Sequence, residues 1–191
     1  MALEPRPMSD PRVLRAIAHP MRARILDEFD LSATLRAADI ADVLQIPANQ
    51  ASFHLRQLAK YGLIKAAPEA ARDRRDRVYR RVEERGFRLD VEDIEAEPGG
   101  KAALSVFRQS KAAWAHGLVD EAFTFRKEED TFSAIVDQNF RLSKDEAVQL
   151  MGEIDDVLAS WAARSRDRSP EQRAYVFYSM MQPYPDDHSH R

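Results

Sequence analysis

The stretch ADIADVLQIPANQASFHLRQLAKYGLI, residues 38–64, decides the fold. Apolar residues recur at helical spacing in two blocks, one over residues 35–44 and one over residues 47–61. Residues 45–47 make a short turn between the blocks, and Gly62 stands where a helix commonly ends. The pattern predicts a helix-turn-helix unit.

Two more helices are predicted upstream of this unit. Asp10 followed by Pro11 has the residue types of an N-cap and a first helical position, so a helix is expected to begin there. Pro20 interrupts the apolar stripe of that helix and is well suited to begin a second one, which carries Ile25 and Phe29. Residues 1–10 have few apolar anchors, and we expect them to form a flexible arm.

Two short apolar runs directly after the unit predict a β-hairpin. Residues 63–67 and 77–82 have the character of strands, and they flank the charged loop PEAARDRRD. The hairpin therefore has a basic tip. The order of helices, turn and hairpin is that of a winged helix-turn-helix, in which this hairpin is the wing.

Charge is unevenly divided along the chain. Residues 1–81 carry 15 Lys and Arg against 10 Asp and Glu, a net +5, whereas the remainder carries 14 against 22, a net −8. The division favours a basic binding half and an acidic second half. Because such differences also arise by chance in charged helical proteins, the division supports the interpretation only together with the motif.

The first part of the chain resembles the ArsR-type family of winged helix-turn-helix regulators. The matching elements are AIAHPMRARIL at residues 16–26, the helix-turn-helix at residues 38–64 and the basic hairpin. SFHLRQLAKYGLI is the most specific segment, since it has the family's pattern of Ser, any residue, His-Leu, two residues, Leu, three residues and Gly-Leu. The resemblance covers about the first 85 residues. It implies a homodimer that binds a pseudo-palindromic operator on double-stranded DNA and represses transcription.

The second helix of the unit is the predicted recognition helix, with Leu55 and Leu58 anchoring it to the core. Its opposite side is polar and basic, as expected of a helix that reads DNA in the major groove. Base contacts are predicted for Asn49, Gln50, Phe53 and Arg56, and phosphate contacts for Ser52 and Lys60. Contacts to the backbone or to a neighbouring minor groove are predicted for the wing residues Arg72, Arg74, Arg75 and Arg77.

An alternative interpretation is a winged-helix protein-interaction module without specific DNA binding. A polar helix face is usually only a solvated face, and an Arg-rich loop with interspersed Asp is often only soluble. Phe53 is the residue on the predicted recognition face that favours a protein partner. His54 is interpreted as a packing or phosphate-contacting residue, with no metal or catalytic role.

The second half predicts a separate helical region. Pro98, Gly99 and Gly100 mark the boundary, one long amphipathic helix is predicted over residues 101–126, and a capping box at Ser143 begins another that runs through Trp161. Residues 131–142 are a short helix or an irregular linker, and residues 173–185 resemble a strand. The predicted domains are an arm at 1–10, a winged helix-turn-helix DNA-binding domain at 11–96, a helical dimerisation and candidate effector region at 97–182, and a flexible tail at 183–191.

Other functions have little support in the sequence. The chain has no Cys, and it lacks a Gly-rich phosphate loop and a nucleophile motif, so neither an enzyme nor a cofactor is predicted. His116 and Asp120 are weak candidates for metal ligands, and no metal site is predicted from them. Aromatic residues of the second half suit a core or dimer interface, or a pocket for an apolar small-molecule effector, and the series is Phe107, Trp114, Phe123, Phe125, Phe132, Phe140 and Trp161. No apolar run approaches the roughly 18 residues that span a bilayer, which predicts a cytoplasmic protein without a membrane partner.

Overall fold

A computed structural model describes residues 6–73, 76–82, 87–124, 128–166 and 171–184. It is mainly helical, with a small antiparallel sheet, as predicted. The elements in chain order are β1 (Arg6–Met8), α1 (Pro11–Ile17), α2 (Pro20–Leu31), β2 (Leu35–Arg36), α3 (Ala37–Leu44), α4 (Ala48–Lys60), β3 (Ile64–Ala66), β4 (Val78–Arg81), β5 (Phe87–Leu89), α5 (Val91–Ala96), α6 (Gly100–Ala122) and α7 (Lys144–Ser165).

Local capping signals set the first two helices. The Asp10 carboxylate accepts the backbone N–H of Arg12 at 2.8 Å, and Pro11 occupies the first helical position. His19 caps α2 in the same way, because its Nδ1 accepts the backbone N–H of Met21 at 3.2 Å. Both starts lie where the sequence predicted them, since a cap and a proline act within one helical turn.

The helix-turn-helix consists of α3 and α4. Gln45 ends α3 in the left-handed conformation with φ 52°, and the N–H groups of Gln50 and Ala51 then bond to the carbonyl of Pro47 to begin α4. After α4, Gly62 adopts φ 68° and the chain turns into β3. The predicted unit is therefore present, with boundaries within two residues of those expected.

Gly62 provides the first testable prediction. In Gly62→Ala the new methyl group would meet no atom of the described residues within 4 Å, so the cost is that of the left-handed backbone, about 1 kcal/mol in the free energy of unfolding. Gly117→Ala is the matched control: Gly117 lies inside α6 with equally open space, and alanine there should stabilise by about 1 kcal/mol. Urea unfolding of both variants measures the two values, and equal signs would contradict the explanation.

The wing belongs to a three-stranded antiparallel sheet. β3 pairs with β4 in the predicted hairpin, with Lys65 opposite Arg80, and β2 adds a third strand on the other side of β4. The sequence did not predict β2, because two residues are too short to show an alternating pattern. The predicted helix over residues 35–44 included both of them. The extra strand ties the wing to the start of α3.

Two apolar clusters hold the domain together. The larger one joins α2, α3, α4 and the start of β3, and its fully buried members include Ile25, Phe29, Ile40, Leu55, Leu58 and Leu63. A smaller cluster joins α1, α5 and the first turn of α6 through Leu14, Ile94, Ala103 and Leu104. Core burial therefore extends to the beginning of α6 and fixes its direction relative to the helix-turn-helix unit.

The N-terminal segment differs from the flexible arm expected for residues 1–10. Arg6–Met8 forms β1, which pairs in parallel with β5, Arg6 lying opposite Phe87 and Met8 opposite Leu89. A pairing between segments some eighty residues apart leaves no local signal, which is why the arm was expected to be loose.

The second half contains two long helices and irregular chain. α7 begins with the predicted capping box, since Ser143 Oγ accepts the backbone N–H of Glu146 at 3.2 Å and the Glu146 carboxylate accepts that of Ser143 at 2.8 Å. Residues 131–142 form the irregular linker rather than a short helix. Residues 173–184 have no regular structure, so the expectation of a strand is wrong there: no described strand pairs with them. None of the described helices is long and apolar enough to cross a membrane.

Candidate nucleic-acid interface

α4 has one buried side and one exposed side. Ala51, His54, Leu55 and Leu58 face the core, as the apolar spacing predicted. With about 100° between successive residues, Asn49, Phe53, Arg56 and Lys60 fall within about 60° of one another on the opposite side. All four are exposed, and Ser52 lies half-buried at one edge of the same face. We call these five residues the α4 face.

Gln50 does not share the α4 face. It is exposed, but its position is about 100° around the helix from Asn49, on the flank. The structure thus brings five of the six predicted helix residues together and sets the sixth apart. A base contact by Gln50 would require the flank to approach the edge of the groove.

Phe53 is an exposed aromatic side chain on the α4 face. It is 48% exposed, and its ring meets the buried ring of His54 edge-on, with centroids 5.4 Å apart. A large apolar group in this position is suited to a thymine methyl group, and it is equally suited to an apolar side chain of a protein partner. Neighbouring Arg56 and Lys60 give the face a net positive charge.

The predicted wing residues lie in and beside the loop between β3 and β4. Arg72 and Arg77 are exposed at the two ends of the charged part of this loop. Arg74 and Arg75 lie outside the described residues. The wing loop, residues 67–77, begins with a short 3-10 turn at Pro68–Ala70 and closes with the N–H of Ala67 donating to the carbonyl of Val78 at 2.9 Å.

Two basic residues on the wing strands were not among the predicted site residues. Lys65 and Arg80 are exposed and directly opposite each other in the β3–β4 pair. Arg80 also lies 3.8 Å from Glu69, with both side chains about half exposed, a contact of little energetic weight. Their exposure could have been predicted from the sequence, since both residues lie on the solvent side of predicted strands. They enlarge the basic surface of the wing.

His54 lies behind the α4 face, where α4 packs on α2. It is only 5% exposed, its ring centroid is 5.2 Å from that of His19, and among the described residues no hydrogen-bond partner is within reach of its Nδ1. Burial lowers the pKa of both histidines below the ordinary value of 6.5, and the charge of Arg22 lowers them further. The structure therefore favours the neutral form of the His19 and His54 rings.

These histidines predict a pH-dependent stability. As the pH falls through 6.5 the unfolded chain takes up protons more readily than the buried His54 and the more exposed His19 do in the folded chain, so the free energy of unfolding decreases. Urea unfolding between about pH 7.5 and about pH 6 measures this above the range where carboxyl groups titrate. His19→Asn keeps a capping side chain and should flatten the dependence, as should His54→Gln. An unchanged slope in both variants would contradict it, and His116→Gln, exposed on α6, is the control.

The weak metal candidates lie away from the α4 face. His116 and Asp120 are exposed one turn apart on α6. Within the part of the chain that the structure describes, no group of three or more His, Asp or Glu side chains could hold a metal ion.

The fold and the α4 face define a winged helix-turn-helix domain, the class of module found in DNA-binding transcription regulators. A family model described as a helix-turn-helix domain matches residues 17–65. No curated protein matches the chain. Among solved structures, the chain is similar to wild-type apo MarR from E. coli, at 14% identity and a TM-score of 0.34 over 78% of this chain and 88% of that chain. It is similar to a cysteine-to-serine mutant of the same MarR at 15% identity and a TM-score of 0.34, over 77% and 86% of the two chains.

Proposed function

We propose that the protein is a sequence-specific, ArsR-type transcription regulator that acts as a homodimer and represses by occupying a pseudo-palindromic operator. The α4 face enters the major groove, where Arg56 reads guanine, Asn49 reads adenine and Phe53 contacts a thymine methyl group. Ser52 and Lys60 bond to phosphates. Arg72, Arg74, Arg75 and Arg77 contact the backbone or the adjacent minor groove and position the domain without reading sequence.

The observation that carries this proposal is the composition of the α4 face. Asn49, Arg56 and Lys60 are exposed on one side of a helix whose other side is fully buried, and this helix is the second of a helix-turn-helix. Side chains with these donors and acceptors match base edges and phosphates in the major groove. The basic wing beside it supplies the sequence-independent part of the affinity.

The homodimer is supported by apolar surface that a single chain leaves uncovered. The stripe on α6 that is buried at Ala103 and Leu104 continues through Phe107 to Trp114, where it becomes exposed. On α7 no residue is buried, although Val157 and Trp161 lie one turn apart on its apolar side. Amphipathic helices normally bury such stripes. The exposed parts of these two stripes are therefore available to pack against a second copy of the chain.

A homodimer formed through these stripes also suits the proposed mode of DNA binding. A two-fold dimer formed through the second half would also carry two recognition helices to two half-sites.

The irregular segments of the second half enlarge the same surface. The Tyr178 ring meets the Trp114 ring edge-on at 5.4 Å, the Tyr175 hydroxyl accepts the backbone N–H of Phe132 at 3.2 Å, and Arg173 pairs with Glu128 at 2.8 Å. Exposed aromatic side chains are thereby gathered beside α6. A small-molecule effector for residues 97–182 stays a prediction.

Selection of bound sequences from a random duplex library tests the proposed function. An enriched inverted repeat, bound with an affinity that falls steeply as salt rises, is the expected result. Absence of any enriched sequence would overturn it and would favour the protein-interaction module, for which the exposed ring of Phe53 is the structural argument. The library should be screened with the full chain, since the dimerisation surface lies in its second half.

A further inference from the structure

The carboxylate of Asp76 links the wing loop to the helix-turn-helix. Asp76 Oδ2 accepts the backbone N–H of Arg72 at 3.3 Å and lies 3.8 Å from Nη1 of Arg36. The backbone N–H of Asp76 in turn donates to Asp73 Oδ1 at 3.0 Å. One side chain therefore joins the two ends of the charged part of the wing loop and reaches across to β2.

Arg36 is itself held rigidly at the start of the helix-turn-helix. Its Nη2 and Nε bond to the Asp39 carboxylate at 2.6 and 3.0 Å, and its backbone N–H donates to the same group at 2.8 Å. Its backbone lies in β2 opposite Val78 of β4. Because Arg36, Asp39 and Asp76 are only 26%, 29% and 19% exposed in their side chains, solvent screens these contacts less than it does surface pairs.

Apolar packing contributes little to the position of the loop. Between the wing loop and α3 lies an open cleft of about 230 Å³. Its lining is mainly polar or charged, and Ala70 and Val78 are its apolar members. The loop therefore depends on the ionic and hydrogen-bonded contacts of Asp76 for its orientation.

We propose that Asp76, together with Arg36, is a positioning residue that holds the wing loop in the orientation in which Arg72 and Arg77 meet DNA. The inference rests on the proposed function, since it assigns a role within the same interface. It also explains an unfavourable feature: a carboxylate stands among cations that are to contact phosphates, where its own charge repels DNA.

Electrostatics and positioning predict opposite effects when Asp76 is removed. Asp76→Ala raises the charge of the wing by one unit, so electrostatics alone predicts tighter binding to every duplex. If Asp76 positions the loop, the variant instead loses affinity for the selected site by about threefold to tenfold, the effect of about one net hydrogen bond. Because the wing contacts do not read sequence, its affinity for a scrambled duplex should fall as well.

The test compares Asp76→Ala with Asp76→Glu and with the charge-matched control Asp42→Ala, an exposed residue of α3. Affinities are measured on the selected inverted repeat and on a scrambled duplex at one salt concentration. Asp76→Glu should restore binding, since the longer side chain still reaches Arg36, and Asp42→Ala should show no loss on either duplex. Wild-type affinity of Asp76→Ala for the selected site would overturn the proposal.

Amide hydrogen exchange separates this inference from the proposed function. The N–H of Arg72, which bonds to Asp76, should exchange faster in Asp76→Ala than in the wild type and in Asp42→Ala. If the wild type selects no sequence, the proposed function fails and exchange still reports whether Asp76 holds the loop. Unchanged exchange at Arg72 would refute the positioning role whatever the protein binds.

Discussion

Replacing Val157 and Trp161 together with Glu is expected to convert the proposed dimer into monomers and to lower affinity for an inverted repeat by about 10²–10⁴-fold. Both residues are more than half exposed on the apolar side of α7. In the proposed dimer each substitution would bury a carboxylate without a partner, which is strongly unfavourable. The loss on DNA is large because a dimer engages its second half-site intramolecularly, whereas two monomers bind independently.

Val148→Glu is the matched control for this pair. Val148 is 65% exposed on the same helix, but about 180° around it from Val157, away from the apolar side. The control should remain dimeric and bind the inverted repeat as the wild type does. Sedimentation equilibrium gives the oligomeric state, and titration of a single half-site should show equal affinity for both variants. A double variant that sediments as a dimer would remove α7 from the interface.

Elements with signals inside one helical turn were predicted accurately. Asp10 with Pro11, the proline at position 20 and the capping box at Ser143 each begin a helix where expected. The end of α4 was also predicted from a local signal, because the left-handed backbone at Gly62 disfavours other residues. The buried side of α4 followed from apolar spacing alone, and hence so did its exposed side.

Contacts between distant segments could not be predicted. The parallel pairing of β1 with β5 and the addition of β2 to the wing depend on which segments the fold brings together. Asp76 illustrates this for the site: in the sequence it is one of three acidic residues in the wing loop, and the position of Arg36 gives it a structural role. The β-rich run near Tyr175 resembled a strand, but no described strand pairs with it, so the local composition was insufficient.

Arg56→Ala is expected to weaken binding to the selected site by about 1–3 kcal/mol, or about 5-fold to 150-fold. Arg56 lies at the centre of the α4 face, exposed and between the positions of Phe53 and Lys60. A guanidinium there can donate two parallel hydrogen bonds to O6 and N7 of guanine, a geometry that no other base pair offers. The loss should therefore fall on sites that carry the preferred base pair and should be small on sites altered at that position.

Arg56→Lys distinguishes a base contact from a phosphate contact at this position. Lysine keeps the charge but loses the planar pair of donors, so it should retain non-specific affinity and salt dependence while losing discrimination at one base pair. If Arg56 instead bonds to a phosphate, Arg56→Lys should bind almost as the wild type does, and Arg56→Ala should weaken all duplexes equally. Titration of each variant on the selected site, a site altered at one position and a scrambled duplex decides between these roles. A uniform loss would place sequence reading on Asn49 and Phe53, the remaining members of the α4 face predicted to reach base edges.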